Sequence, residues 1–263
     1  MAHGLGGVKE LRLEAFAERF CDAGYGCLVF DYRHFGDSGG EPRDLIDIKR
    51  QLEDWQSAVD FAVELPECDE SRVVVWGTSF GGALAIVTAA NDPRVAAAIV
   101  QCPFTDGRTS SRTIDPKALI KLSVPVVRDF ISSWSGSEPV RIPTSAPPGN
   151  AALMTAPDAV PGQEAMAAAS GLVHEQVMVP ARVGLRIPFF VPGRRVKDIQ
   201  CPIFFAVCDR DTVAPPKTTV KWAKTAPQGE IRHYDTGHFD IYVGEWLDRV
   251  VADEIDFLRK HLP

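Results

Sequence analysis

Gly77-Thr78-Ser79-Phe80-Gly81 sets a serine between glycines two residues before and two after, behind a β-branched run and ahead of a run of small residues. A tight turn from strand into helix tolerates little at the flanking positions beyond glycine. It would raise the serine hydroxyl above a sheet at a helix N-terminus, where backbone N–H groups favour a developing anion. The chemistry on offer is nucleophilic attack, which a serine performs only beside a base that is itself oriented by a carboxylate. Of His3, His34, His174, His233, His238 and His261, only His238 follows the last expected strand in a turn-like setting, Thr236-Gly237-His238-Phe239-Asp240. Asp211 follows the preceding expected strand in Asp209-Arg210-Asp211-Thr212-Val213-Ala214-Pro215, with Asp209 as the competing carboxylate. The Asp-x-x-x-Pro spacing favours Asp211, because a turn there can aim it at an imidazole. Both residues fall at C-terminal strand ends, where open α/β sheets build sites.

Further groups could serve such a serine. In His3-Gly4-Leu5-Gly6-Gly7 the glycines allow close approach to a carbonyl oxygen, and the N–H groups of Leu5 and Phe80 would make a two-donor oxyanion hole. A phosphate cradle is the competing reading, but no G-x-x-x-x-G-K-[ST] follows. Cys102-Pro103-Phe104 ends the strand after the elbow helix and is expected to line the site wall, Cys102 as a buried thiol rather than a nucleophile. Trp134, Phe189 and Phe190 suit an apolar substrate wall, with simple packing within the inserted segment as an equal alternative. Arg33 and His34 read as ties of the loop from Asp31 to Gly40, and His174 as a surface residue with acceptor binding as a lesser role.

The elements that must position these groups follow from periodicity. Leu13, Phe16 and Phe20 mark a helix between Val8 and Ala23 with Gly24 as its stop; Ile48, Leu52, Trp55, Val59 and Val63 mark a second, closed by Pro66. Covered strands are expected at Cys27–Phe30, Val73–Trp76 and Val95–Val100 and further strands at Ile203–Val207 and Glu230–Tyr234, with helices at Phe80–Ala90 and around Val251, Ile255, Leu258 and Leu262. The alternation implies an α/β fold with a doubly wound, mostly parallel sheet. Residues 108–197 break the rhythm and hold eleven of the twenty prolines, so they read as an inserted cap of short helices and loops on a core of residues 1–107 and 198–263.

Composition narrows the class. The 263 residues are 45% apolar with a net charge of −7 and no basic block, which excludes a disordered chain and argues against nucleic-acid or anionic-membrane partners. Six cysteines without a CxxC pair read as free thiols of a reducing, cytoplasmic setting, not as a disulfide frame or metal site. No run is long enough for a membrane span and no signal segment is visible.

Together, Met1-Ala2-His3-Gly4-Leu5-Gly6-Gly7, Phe30 to Arg43, Gly77-Thr78-Ser79-Phe80-Gly81-Gly82 and Gln101 to Gly107 resemble the α/β-hydrolase superfamily over nearly the whole chain. The finer wording is similar to the X-Pro dipeptidyl-peptidase-like, or peptidase S15-like, group that includes fungal polyketide transferases. The resemblance implies Ser79 as nucleophile, Asp211 as acid and His238 as base, with no cofactor. It also implies strands ahead of the His-Gly loop, and the expectation is a start upstream of Met1. Acyl transfer through a covalent serine on a bulky hydrophobic acyl ester or thioester is the leading expectation. The alternatives are a polyketide acyltransferase and a non-catalytic binding protein on the same fold. A homodimer is compatible with any of these.

Overall fold

Leu13, Phe16 and Phe20 bury one face of the first helix, α1 (Leu13–Asp22), in the computed structural model, which describes residues 1–262. The helix begins five residues later than its apolar period suggests. His3 Nε2 bonds the Leu11 carbonyl oxygen at 2.9 Å, and Arg12 adopts a left-handed φ of 73°, so the chain turns there instead of coiling. α2 (Ile48–Glu64) is capped by the Asp47 carboxylate, which accepts from the backbone N–H groups of Lys49 and Arg50. It leads to β1 (Val73–Thr78), the buried, small-residue helix α3 (Phe80–Asn91) and β2 (Val95–Gln101). After the intervening segment come β-strand residues Ile203–Cys208, helix Pro216–Ala223, strand residues Gly229–Tyr234 and the closing helix Gly244–His261.

The segment between is less regular. α4 (Gly107–Ser111) precedes α5 (Pro116–Ser135), and β3 (Arg141–Pro143) pairs antiparallel with β4 (Met178–Pro180) around α6 (Ala159–Ala169). Short 3₁₀ turns at Ala181–Leu185, Ile187–Phe189 and Pro192–Asp198 complete it. α5 is the exception to the expectation of short helices. At 20 residues it runs through Pro125, started by an Asp115 cap and a proline at its first position. With β5 (Ile203–Cys208), α7 (Pro216–Ala223), β6 (Gly229–Tyr234) and α8 (Gly244–His261) the labels are complete.

The main sheet has the order β1-β2-β5-β6, all parallel. Alternate residues serve opposite layers. Val73, Val75, Val100 and Phe205 pack with Trp55 and Val59 of α2 and the body of α3; Trp76, Ile99, Phe204 and Ala206 pack with α1 and with Leu247, Val251 and Phe257 of α8. Residues buried on both faces of the sheet explain why these strands read as continuous apolar runs.

One expected strand is absent. Cys27–Phe30 is extended but makes no ladder; its backbone bonds run to Met1, whose amino group donates to the Leu28 oxygen at 2.6 Å and whose oxygen accepts from the Phe30 N–H at 3.2 Å. Ala2 in turn bridges to Gly77 on the outer edge of β1. Beyond that bridge a cleft of about 550 Å³ opens between residues 24–28 and Val73–Trp76. The described residues include no helix long and apolar enough to cross a membrane, and the six cysteines are free thiols.

Candidate active site

β1 delivers Ser79 to the top of the sheet, and the turn into α3 holds it at φ 54°, ψ −118°, a region L-residues seldom occupy. The peptide is fixed on both sides: its N–H donates to the Gln101 oxygen at 2.9 Å, and its oxygen accepts from the Phe104 N–H at 2.9 Å. Glycine is required at position 81 because a Cβ there would lie 2.3 Å from the His3 oxygen, and at position 4 because a Cβ would lie 2.9 Å from the Ser79 Cβ. The elbow and the His-Gly loop are therefore in van der Waals contact. Their spacing in sequence gives no hint of it.

His238, after β6, faces the serine. Its Nε2 lies 3.0 Å from Ser79 Oγ, and its Nδ1 lies 2.6 Å from Asp211 Oδ2. The other Asp211 oxygen accepts from the backbone N–H groups of Val213 at 2.8 Å and Ala214 at 2.7 Å, so the turn before Pro215 fixes the carboxylate. Asp209 is occupied elsewhere, bonding His233 Nδ1 at 2.7 Å on the surface. The choice left open between the two carboxylates is thus resolved in geometry for Asp211. Burial of the pair pushes the Asp211 carboxyl up, with the His238 charge opposing. Burial works against charge on the His238 ring, but the Asp211 carboxylate and Cys102 beside it together outweigh that and raise the imidazole above its usual value.

A buried polar layer lies under this chain, and sequence reading missed it. Tyr242 hydroxyl bonds Thr78 Oγ1 at 2.5 Å, and its ring stacks on His3 with centroids 5.8 Å apart. Cys102 Sγ sits among the His238 carbonyl oxygen, the Tyr242 hydroxyl and Thr78 Oγ1 at 3.7–3.8 Å. Cys102 therefore supports the His238 backbone from below and does not line a substrate wall, since its place at the end of β2 turns it toward the sheet top's interior. His3 is buried and pushed down to about 4, first by desolvation; its Nδ1 accepts from the Gly4 N–H at 2.7 Å. A neutral ring with its proton on Nε2 satisfies both bonds and holds the loop bearing Leu5.

Two clefts meet at Ser79. The smaller, about 50 Å³, is bordered by Leu5, Phe80, Phe104, Leu153, Ile187 and Val213. The larger, about 450 Å³, takes in Gly4–Val8, Thr144, Met166 and His238, with Gln163, His174 and Glu175 as polar groups. Leu5, Phe80 and Phe104 thus reach the site as expected. Phe190 stands behind them, packed on Phe80 at 5.6 Å and Phe104 at 6.3 Å between centroids. Trp134 and Phe189 do not reach it: both are 76% exposed, Trp134 because it ends α5 on the outward side and Phe189 because its 3₁₀ turn directs it to solvent. His174 borders the larger cleft. Arg33 ties its loop to α2 through Asp54 at 2.5 Å.

Ligand atoms of Cys102, Asp211 and His238 lie within 4.8 Å of one another, as do those of Glu10, Asp31 and Asp37. The first set is committed to the hydrogen bonds above, and Lys9 Nζ pairs with all three carboxylates of the second.

The comparisons with known proteins agree with this architecture. Residues 1–243 match the family model Hydrolase_4, described as serine aminopeptidase, S33. The chain is 53% identical over 263 residues to the quorum-quenching protein AidA of Acinetobacter baumannii (strain MDR-ZJ06), covering 100% of this chain and 86% of that one. It is 33% identical over 273 residues to the polyketide transferase grgF of Penicillium sp, covering 100% of this chain and 87% of that one. The crystal structure of the α/β hydrolase GrgF from Penicillium sp. sh18 superposes with a TM-score of 0.84 at 26% identity, covering 100% and 89%. The motifs alone suggested the S15-like group; the model that matches is that of S33, while a polyketide transferase does stand among the relatives. A buried Ser79–His238–Asp211 chain on a parallel sheet and a family match over most of the length lead to one statement: the protein belongs to the Hydrolase_4 family of α/β-hydrolases.

Proposed function

We propose that the protein is a serine esterase or thioesterase acting on a small molecule with an apolar acyl group. The observation that carries this reading is the unbroken hydrogen-bond chain from Ser79 Oγ through the His238 ring to Asp211. Ser79 Oγ bonds the ester carbonyl carbon as its proton passes to His238 Nε2, while Asp211 holds the imidazolium. The carbonyl oxygen becomes an anion received by the N–H groups of Leu5 and Phe80, each worth roughly 3 kcal/mol to the transition state. Phe80 opens α3, so its N–H has no partner within the helix. Collapse breaks the ester C–O or C–S bond, and His238 returns the proton to the leaving alcohol or thiol. Water then attacks the acyl-serine with His238 again as base, releasing the acid.

The apolar small cleft suits the acyl part and the larger, partly polar one the leaving group. The relative at 53% identity is a quorum-quenching protein, which supports a diffusible signal ester as substrate. A second reading is supported by the polyketide transferase relative: the larger cleft admits an alcohol that takes the acyl group in place of water.

The test is reaction with a fluorophosphonate probe beside turnover of short nitrophenyl esters. Labelling and turnover are expected in the native chain, and Ser79→Ala should abolish the first and cut kcat/KM by roughly 10⁵-fold. Because Asp211 raises His238 and the base must be neutral, kcat/KM should climb with pH on an acid limb centred above 6.5. Labelling that survives Ser79→Ala removes the assignment. Faster release of the acyl-enzyme by an added alcohol than by water would favour the transferase.

A further inference from the structure

Tyr242 follows His238 on the 3₁₀ turn Asp240–Tyr242 and is only 1% exposed. Its backbone is held from two directions: the N–H donates to the Phe239 oxygen at 3.3 Å, and the oxygen accepts from Arg12 Nε at 3.0 Å. A buried phenol needs one hydrogen-bond partner to be satisfied. This one meets more than that need. Its hydroxyl bonds Thr78 Oγ1, on the residue before the nucleophile, and lies 3.8 Å from Cys102 Sγ, which is itself 3.8 Å from the His238 carbonyl oxygen. Its ring lies within 2° of parallel to that of His3, two residues ahead of Leu5. Behind Thr78 stands Gln101, whose Nε2 donates to Thr78 Oγ1 at 3.2 Å and whose backbone oxygen receives the Ser79 N–H.

We propose that Tyr242 is a positioning residue for the acyl transfer proposed above, an inference that rests on that reading. Its hydroxyl keeps the Ser79 turn and the His238 turn in one register, and its ring steadies the loop that bears Leu5. The groups that must meet at one carbonyl carbon arrive on three separate loops, ahead of α1, after β1 and after β6. Independent shifts of those loops would open the 3.0 Å approach of Ser79 Oγ to His238, and a misplacement of about 1 Å costs on the order of 100-fold in rate. One buried side chain that touches two of the loops, and reaches the third through Cys102, removes that freedom. Its partners are the neighbours of the reacting groups, where a residue serving only the core would tie strands and helices away from them.

The test is titration of reactive serines with a fluorophosphonate, followed by kcat per titrated site on a nitrophenyl ester. Tyr242→Phe keeps the ring on His3 and deletes the hydroxyl, so kcat per site should fall roughly tenfold with KM within about twofold. Thr78→Val cuts the same bond from the other end and replaces the first variant should that one fold poorly. Thr78→Ser keeps a hydroxyl there and should hold kcat within about threefold of native. Because both cuts remove one link, combining Tyr242→Phe with Thr78→Val should cost no more than about twofold beyond the slower single variant. A residue needed only for the fold would lower the melting temperature and the count of reactive serines and leave kcat per site unchanged. That result overturns the proposal, as do losses that multiply in the double variant. A native chain that neither labels nor turns over ester brings down the serine reading and this inference with it. Labelled native protein beside Tyr242→Phe at full kcat per site removes the positioning role alone.

Discussion

The top of the parallel sheet and the segment of residues 108–197 are built on opposite principles. Around Ser79 almost every polar atom has a named partner: Asp211 is held by two loop amides, His3 by Gly4 and Leu11, and Tyr242 by Thr78. The segment borders the small cleft with the apolar Leu153, Met154 and Ile187 beside a few hydroxyls, and much of α5 presents hydrophobic groups to solvent. Directional bonds fix atoms to within tenths of an ångström, which bond-making demands; dispersion contacts fix only volume. The sheet top should therefore govern rate and the segment should govern which substrate fits.

That contrast is easiest to break at Asp211. Asp211→Asn keeps the shape but lets the imidazole take the wrong tautomer, and kcat should fall roughly 10⁴-fold. Asp209→Asn, two residues before it and paired with His233, should leave kcat within about twofold. Equal losses in the two variants, measured on the same ester, would erase the distinction between the carboxylates.

His3 comes next. Its folded value of about 4 lies below the ordinary 6.5, so an unfolded chain takes up the proton first. Its contribution is intact above pH 6.5 and is lost as pH falls toward 4, a loss of ~3 kcal/mol in unfolding free energy. Urea melts of the native chain should show that decline, and His3→Gln should lack this part of it while lowering kcat about tenfold through the Leu5 loop. An unchanged pH profile of stability in His3→Gln would show that the ring does not clamp the loop.

Effects in the segment should be smaller and of another kind. Leu153→Ala enlarges the small cleft and should shift preference toward longer acyl chains by roughly tenfold in kcat/KM ratios, with kcat for the best substrate little altered. Trp134→Ala, far out on α5, should leave turnover per chain within about twofold. A large kcat loss in either would mean that the segment takes part in the chemistry.

The elbow motif, the Ser, Asp, His order and the covered strands were legible because each depends on local rules. A strand buried on both faces must be apolar along its length, and a strand-to-helix turn this tight must carry glycine. Val73–Thr78, Phe80–Asn91 and Ile203–Cys208 accordingly start where periodicity puts them and end one or two residues beyond it. Cys27–Phe30 looked the same and is not a strand, because a ladder needs a partner and its composition says nothing of one. Aromatic residues in the segment looked alike as well; exposure separates Trp134 and Phe189 from Phe190, and a sequence without helical phase or turn geometry cannot supply it.

The chain by itself determined which groups could react and that they ride on a parallel sheet, since hydroxyl, imidazole and carboxylate chemistry and the period of two are properties of residues and their neighbours. Tertiary structure alone decided that Asp211 rather than Asp209 meets His238, that Cys102 and Tyr242 lie beneath the site, and that His3 touches the nucleophile's own turn. Those contacts join residues as much as 164 positions apart, and no local interaction encodes a distance of that kind; it emerges only when the layers close on one another.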